Sequence, residues 1–263
     1  MDMQNDTLYL ATGRTMYARN GVNHQSNIEF AINTKDMTYK DTEDTYTSHS
    51  FNQVVKFKDG NLYQVDHGDA YPRAIVLSIT DNYEGEDKKT KELELFEIVG
   101  DIGDNFTGVR LGGMEVGSKN VIVCGTAQPN KHKIQKVKGI NLKYGYNVFV
   151  IVADREGKAS KTKWITNYNP KSKSTNVGEC RIVKLSDEKF ALLYEVTKNN
   201  KKTLYYVVVN NEGKKIYSKK YSNMYFHGDS QPVIFNGYIQ WIAKGYDSNS
   251  GYKTKTFRIP VIF

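Results

Sequence analysis

The chain has 263 residues, 39% of them apolar and 25% charged, a balance that excludes intrinsic disorder. No apolar run approaches the roughly 20 residues of a membrane-spanning helix, and the polar start Met1-Asp2-Met3-Gln4-Asn5-Asp6 is not a signal peptide. The net charge of +8 comes chiefly from scattered lysines. They lack the focus of arginines and stacking aromatics that marks a nucleic-acid reader, so they are read as a solvated surface guarding strand edges, or as attraction to anionic polymers.

The abundance of Tyr (19) and Phe (11) suits pleated, half-buried strands, and no window sustains helical periodicity. Taken in order, the chain opens on Leu8-Tyr9-Leu10, a run that matches a second strand, so the first unit lacks a clear first one. Thr12 to Gln25 reads as a loop carrying Arg14, His24 and Gln25. Ile28-Glu29-Phe30-Ala31-Ile32 then turns at Asn33 to Asp36 into Met37-Thr38-Tyr39. Next come a loop with His49, Asn52 and Gln53, a strand through Phe57, the turn Lys58-Asp59-Gly60 and a strand from Asn61 to Val65. Asp66 to Arg73 is a further loop, holding Asp66, His67, Asp69, Tyr71 and Arg73. Val109 to Val116 pairs with Asn120 to Cys124, and Phe149 to Ala153 with Lys163-Trp164-Ile165 across the turn Asp154 to Gly157. Arg110 to Gly113 reads as a tight inner turn rather than an anion cradle. The third of these hairpins joins Cys180–Leu185 to Lys189–Tyr194, followed by Tyr205–Val209 and Lys215–Tyr217. The loop Tyr221 to Gln231 brings His227, Asp229 and Gln231. Asn236-Gly237 then closes the clearest hairpin of the chain, followed by Thr254 to Ile259 and a possible final strand, Val261-Ile262-Phe263.

The first strand of the unit recurs near Phe51, Val109, Cys180 and Gln231. The fold class expected is therefore all-β, a β-propeller of four-stranded antiparallel blades, about five of them, in one domain spanning 1–263. A pair of β-sandwiches, or a fragment of a larger propeller, is the alternative. With the strands of each unit lettered A to D, antiparallel geometry puts the A–B and C–D turns on one face and the B–C and D–A connections on the other. The first set is short and generic. The second holds four of the five histidines, His24, His49, His67 and His227, and the repeated tetrads His67-Gly68-Asp69 with Pro72 and His227-Gly228-Asp229 with Pro232.

The runs Gly13-Arg14-Thr15-Met16-Tyr17, Ser48-His49-Ser50-Phe51-Asn52-Gln53, Asp66 to Arg73 and Trp164-Ile165-Thr166-Asn167-Tyr168 resemble propeller-like regions of Gram-positive bacterial surface proteins. The resemblance implies an extracellular or cell-surface setting, with a cytoplasmic one left open by the missing leader.

The function expected is a non-catalytic module that binds a glycan or anionic envelope polymer on the B–C/D–A face, with the candidate ligand residues named above and no cofactor. Tyr17, Tyr71, Tyr168, Tyr221, Tyr225 and Trp164 lie in or beside its loops and could stack on sugar rings. Two alternatives stand beside it. One is a glycoside hydrolase or lyase that uses Asp66, Asp69 or Asp229 as paired carboxylates. The other is a protein-interaction scaffold. His-Gly-Asp also reads as a turn, and a buried His-Asp pair could staple neighbouring blades. Cys124 and Cys180 sit in apolar strands and read as small buried hydrophobes, and no Cys/His spacing resembles a zinc site. A monomer is expected.

Overall fold

A computed structural model of the chain describes residues 1–19, 22–41, 50–68, 73–98, 107–128, 146–169, 174–226, 230–247 and 251–262. They form a five-bladed β-propeller with no helix among the described residues. Blade 1 is β1 (Asp2–Gln4), β2 (Thr7–Arg19), β3 (Val22–Asn33) and β4 (Tyr39–Asp41). Blade 2 is β5 (Ser50–Lys58), β6 (Asn61–Gly68), β7 (Ala74–Asp81) and β8 (Lys89–Glu97). Blade 3 is β9 (Val109–Val116), β10 (Asn120–Ala127), β11 (Asn147–Asp154) and β12 (Ser160–Trp164). Blade 4 is β13 (Thr175–Ser186), β14 (Lys189–Lys198), β15 (Lys201–Asn210) and β16 (Lys215–Ser222). Blade 5 has three described strands, β17 (Val233–Phe235), β18 (Tyr238–Asp247) and β19 (Gly251–Pro260). Every pairing is antiparallel between neighbours in sequence, and the first strands of successive blades touch in the order β1, β5, β9, β13, β17.

The turns follow from local chemistry. Asp59-Gly60, Asn199-Asn200 and Asn236-Gly237 each place two successive residues at positive φ, the geometry whose twist matches a two-residue hairpin. The Asp154 carboxylate accepts the backbone N–H groups of Glu156, Lys158 and Ala159 and so fixes its own turn.

Several expectations are corrected. Blade 1 does have a first strand: Asp2-Met3-Gln4, too short and polar to stand out, pairs with Thr7–Tyr9. Thr12 to Gln25 is not a loop. β2 and β3 run on as a ribbon to the pair Arg19–Val22, bent by a register shift between Arg14 and Tyr17. Among the described residues, from Leu10 and Glu29 outward its strands pair within their own sheet only with each other. Arg110 to Gly113 is strand, not turn, with a register shift opposite Cys124/Gly125. A Cβ on Gly112 would lie 2.3 Å from the Cys180 carbonyl oxygen, so only glycine lets β9 approach β13 this closely. Val261 and Ile262 form no strand; Val261 N–H bonds Gly237 O, and the Tyr206 hydroxyl donates to Ile262 O.

Alternation on the strands feeds the core. In β10, Val121 and Val123 pack toward blade 2 while Ile122 and Cys124 pack toward blade 4. Buried clusters fill the junctions 2–3, 3–4 and 4–5, and a smaller one, around Tyr9, Val55, Leu62 and Tyr83, fills junction 1–2. Cys124 and Cys180 are both buried in the 3–4 cluster as free thiols. Among the described residues no buried cluster bridges blades 5 and 1.

Candidate functional site on the loop-bearing face

The face that carries the B–C and D–A connections is best described at the end of blade 2. β6 delivers Asp66 and His67 there, and β5 sets Asn52 opposite His67 and Gln53 opposite Asp66. Neighbouring residues on a strand project to opposite sides of the sheet, so Asp66 and His67 diverge. Asp66 turns to blade 1: its Oδ1 accepts from Asn27 Nδ2 of β3 at 2.5 Å and its Oδ2 from Gln64 Nε2 at 2.6 Å. His67 turns to blade 3, where its Nε2 lies 2.9 Å from Thr107 Oγ1, just before β9. Burial first, then the charge of Arg73, hold the His67 pKa down to about 4, so its ring is neutral at pH 7. Asn52 Nδ2 reaches Leu111 O of blade 3 at 3.4 Å. This part of the predicted constellation is a set of buried bonds between blades.

Across the ring, blade 4 supplies a second polar group. Arg181 of β13 is buried; it donates to Ser230 O at 3.2 Å and to Glu179 Oε2 at 3.0 Å. Glu195 of β14 accepts the Phe226 N–H and lies 3.9 Å from Lys202 Nζ. Burial raises its pKa against those two stabilising partners. Gln231, exposed at the entry to blade 5, brings its Oε1 to 3.8 Å from where a Cβ on Gly113 of β9 would stand. It therefore leans from blade 5 toward the inner strand of blade 3.

Of the other predicted residues, Arg73 is buried at the start of β7. Arg14, His24 and Gln25 lie on the β2–β3 ribbon, with side chains outside the described residues. His49, Asp69, Tyr71, His227 and Asp229 also lie outside the described residues. Trp164 packs edge-on against Phe149 at 5.8 Å, in the 2–3 junction. Tyr168, Tyr221 and Tyr225 are half-buried at the loop face. The sequence reading missed Asn27, Gln64, Thr107, Arg181 and Glu195. A signal was available: a polar residue inside an otherwise apolar strand, as in Leu62-Tyr63-Gln64-Val65-Asp66 and Leu192-Leu193-Tyr194-Glu195-Val196, must find a buried partner.

The opposite mouth of the ring holds a cavity of about 500 Å³ lined by inner-strand residues of all five blades, among them Gln4, Lys56, Glu115, Lys184 and Val233. Lys56 pairs with Glu115 at 3.1 Å, and Lys58 and Lys184 share Asp187 at 2.8 and 2.5 Å. The two lysines hold the Asp187 carboxyl down to about 2. Charge here is balanced, which gives the cavity no preference for either sign of ligand.

No family model matches the chain, and no curated protein matches it. Among solved structures, the chain is similar in fold to an α-L-arabinanase of Penicillium chrysogenum complexed with arabinobiose, at 12% identity and a TM-score of 0.53, covering 94% of this chain and 86% of that one. It also aligns with an endo-arabinase of Bacteroides thetaiotaomicron at 11% identity and a TM-score of 0.44, covering 98% and 94%.

Proposed function

We propose that the chain is a non-catalytic, cell-surface glycan-binding module that receives its ligand on the B–C/D–A face. The observation that carries the reading is the state of Asp66 and His67. Hydrolysis of a glycosidic bond calls for two carboxyl groups facing one substrate. Of the predicted pair, the Asp66 carboxylate has both oxygens engaged by amides and the His67 imidazole is buried and neutral. These groups brace the blades and leave the face as a rigid platform. The β2–β3 ribbon, paired out to Arg19 and Val22, borders that platform on the blade 1 side. The arabinobiose-bound propeller of similar fold supports a saccharide as the ligand class.

The test is a calorimetric titration with arabino-oligosaccharides, alongside a glycan array. Binding without release of reducing sugar is the expected result, weakened about tenfold by Gln231→Ala with an unchanged melting temperature. Sugar release that disappears in Asp69→Ala or Asp229→Ala, with folding intact, would replace binding by hydrolysis.

A further inference from the structure

The blade 4 corner of the loop-bearing face is rich in lysine among the described residues. Lys198, Lys201 and Lys202 flank the β14–β15 turn, and Lys219 and Lys220 follow further along the blade, opposite Tyr206 and Tyr205 of β15. The register sets Lys198 opposite Lys201 and puts Tyr205 opposite both Tyr194 and Lys220. Tyrosine rings lie beneath these side chains. Lys220 Nζ sits 5.3 Å from the Tyr205 ring centre, Lys219 Nζ 5.2 Å from Tyr221, and Lys202 Nζ 6.0 Å from Tyr225. Such contacts hold an ammonium over a ring face and shorten the reach of a flexible stem. Two acidic residues lie near this corner, Glu195, buried and 3.9 Å from Lys202, and Glu179, paired with Arg181 at 3.0 Å.

Protection of a sheet edge explains lysines on an outermost strand, and β8, β12 and β19 carry them too, at Lys89, Lys91, Lys161, Lys163, Lys253 and Lys255. It does not explain Lys198, Lys201 and Lys202, which stand on the two middle strands of their sheet. On β8 the lysines are followed by Glu92, Glu94 and Glu97, and Lys91 is paired with Asp81 at 2.6 Å. β16, like β12 and β19, has no acidic residue; blade 4 differs in adding Lys198, Lys201 and Lys202 on its middle strands. A surface of this kind gains affinity by neutralising a row of anionic groups and releasing their counterions.

We propose that the blade 4 corner binds a polyanionic glycan, a polysaccharide whose repeating units carry carboxylates. This rests on the glycan-binding reading and extends it from saccharide to charged saccharide. A glycan is favoured over a nucleic acid because the described tyrosine faces are covered by lysine stems, while single-stranded nucleic acid binds by stacking bases on open rings.

The experiment measures anisotropy of labelled oligogalacturonate on the whole chain as a function of salt. One variant carries Lys201→Gln, Lys202→Gln, Lys219→Gln and Lys220→Gln. A control removes as many charges from other blades, by Lys40→Gln, Lys89→Gln, Lys161→Gln and Lys255→Gln. The expected result is binding that falls at least tenfold in the corner variant, with a log–log salt dependence shallower by about 4, and at most twofold in the control. Equal losses in both variants, no binding of oligogalacturonate at low salt, or equally tight binding of an oligothymidylate would overturn the proposal. Neutral arabino-oligosaccharide, run in parallel, separates the two readings. Its failure to bind while oligogalacturonate still binds through the corner removes the neutral-saccharide platform and leaves the charged site standing.

Discussion

The junction between blades 2 and 3 and the junction between blades 5 and 1 are made from the same kind of strand and end in opposite states. At the first, Phe96 of β8 stacks on Phe149 of β11 at 5.2 Å with the rings 10° apart, inside a cluster that excludes water. At the second, the side of blade 5 turned away from blade 4 leaves Val233, Phe235 and Ile242 58%, 62% and 57% exposed. Met1 and Met3 of blade 1 are exposed as well. The difference is already written in the alternation. β10 reads Val-Ile-Val-Cys and is apolar on both sides, because each side faces a neighbouring blade. β18 reads Tyr-Ile-Gln-Trp-Ile-Ala-Lys: Ile239, Trp241 and Ala243 face blade 4, and Tyr238, Gln240, Ile242 and Lys244 face the other way. Among the described residues, four junctions are filled by buried clusters and the fifth has none.

The largest effect that would sharpen this contrast is Phe149→Ala, which removes the ring that meets both Phe96 and Trp164. It is expected to destabilise by about 3–5 kcal/mol in urea unfolding, and a loss below 1 would mean that the 2–3 junction is not the stronger one. Next comes pH. The His67 pKa is about 4 in the fold against about 6.5 in the unfolded chain, so the unfolded state takes up the proton first as pH falls. The stability due to neutral His67 is complete above about pH 6.5 and is lost progressively toward pH 4, about 3 kcal/mol in all. Comparing the stability difference between pH 7.5 and 4.5 in the wild type and His67→Gln isolates this share, and identical pH slopes would remove His67 from the 2–3 junction's account. Gly112→Ala tests the 3–4 junction, where the added methyl meets backbone at 2.3 Å; a loss of about 1–3 kcal/mol is expected from overpacking. The smallest effect is at the open side. Phe235→Ser and Ile242→Ser are expected to stay within about 0.5 kcal/mol of wild type. A cost matching that of Phe149→Ala would show the fifth junction to be closed and would dissolve the comparison.

Much of the fold was legible. Many of the hairpins, their turns and the order of the strands follow from apolar runs punctuated by Asp-Gly and Asn-Gly, because those dipeptides adopt positive φ at low cost; the Asn199-Asn200 turn was not read from the sequence. The candidate site was legible only in part. Asp66 and His67 are adjacent in sequence and were grouped as possible ligand residues, yet the pleat sends them to opposite sides of the sheet, one to Asn27 and the other to Thr107. Asn27 and Thr107 lie 39 and 40 residues away, and a single sequence carries no sign of such a pairing. The lysines of blade 4 looked scattered because Lys201 and Lys219 are separated along the chain by a strand, a turn and half of another strand; the antiparallel pairing of β15 with β16 lays Lys219 and Lys220 opposite Tyr206 and Tyr205, on the strand that begins at Lys201.

By itself the sequence determined the all-β class, the repeat and the sorting of connections onto two faces, since strand periodicity and turn chemistry are local properties of the chain. Which polar side chains brace the blades, which lysines share a corner and which junction is left bare were decided only in the tertiary structure. Those outcomes depend on what stands across the sheet from each residue, and that neighbour is always distant in the chain.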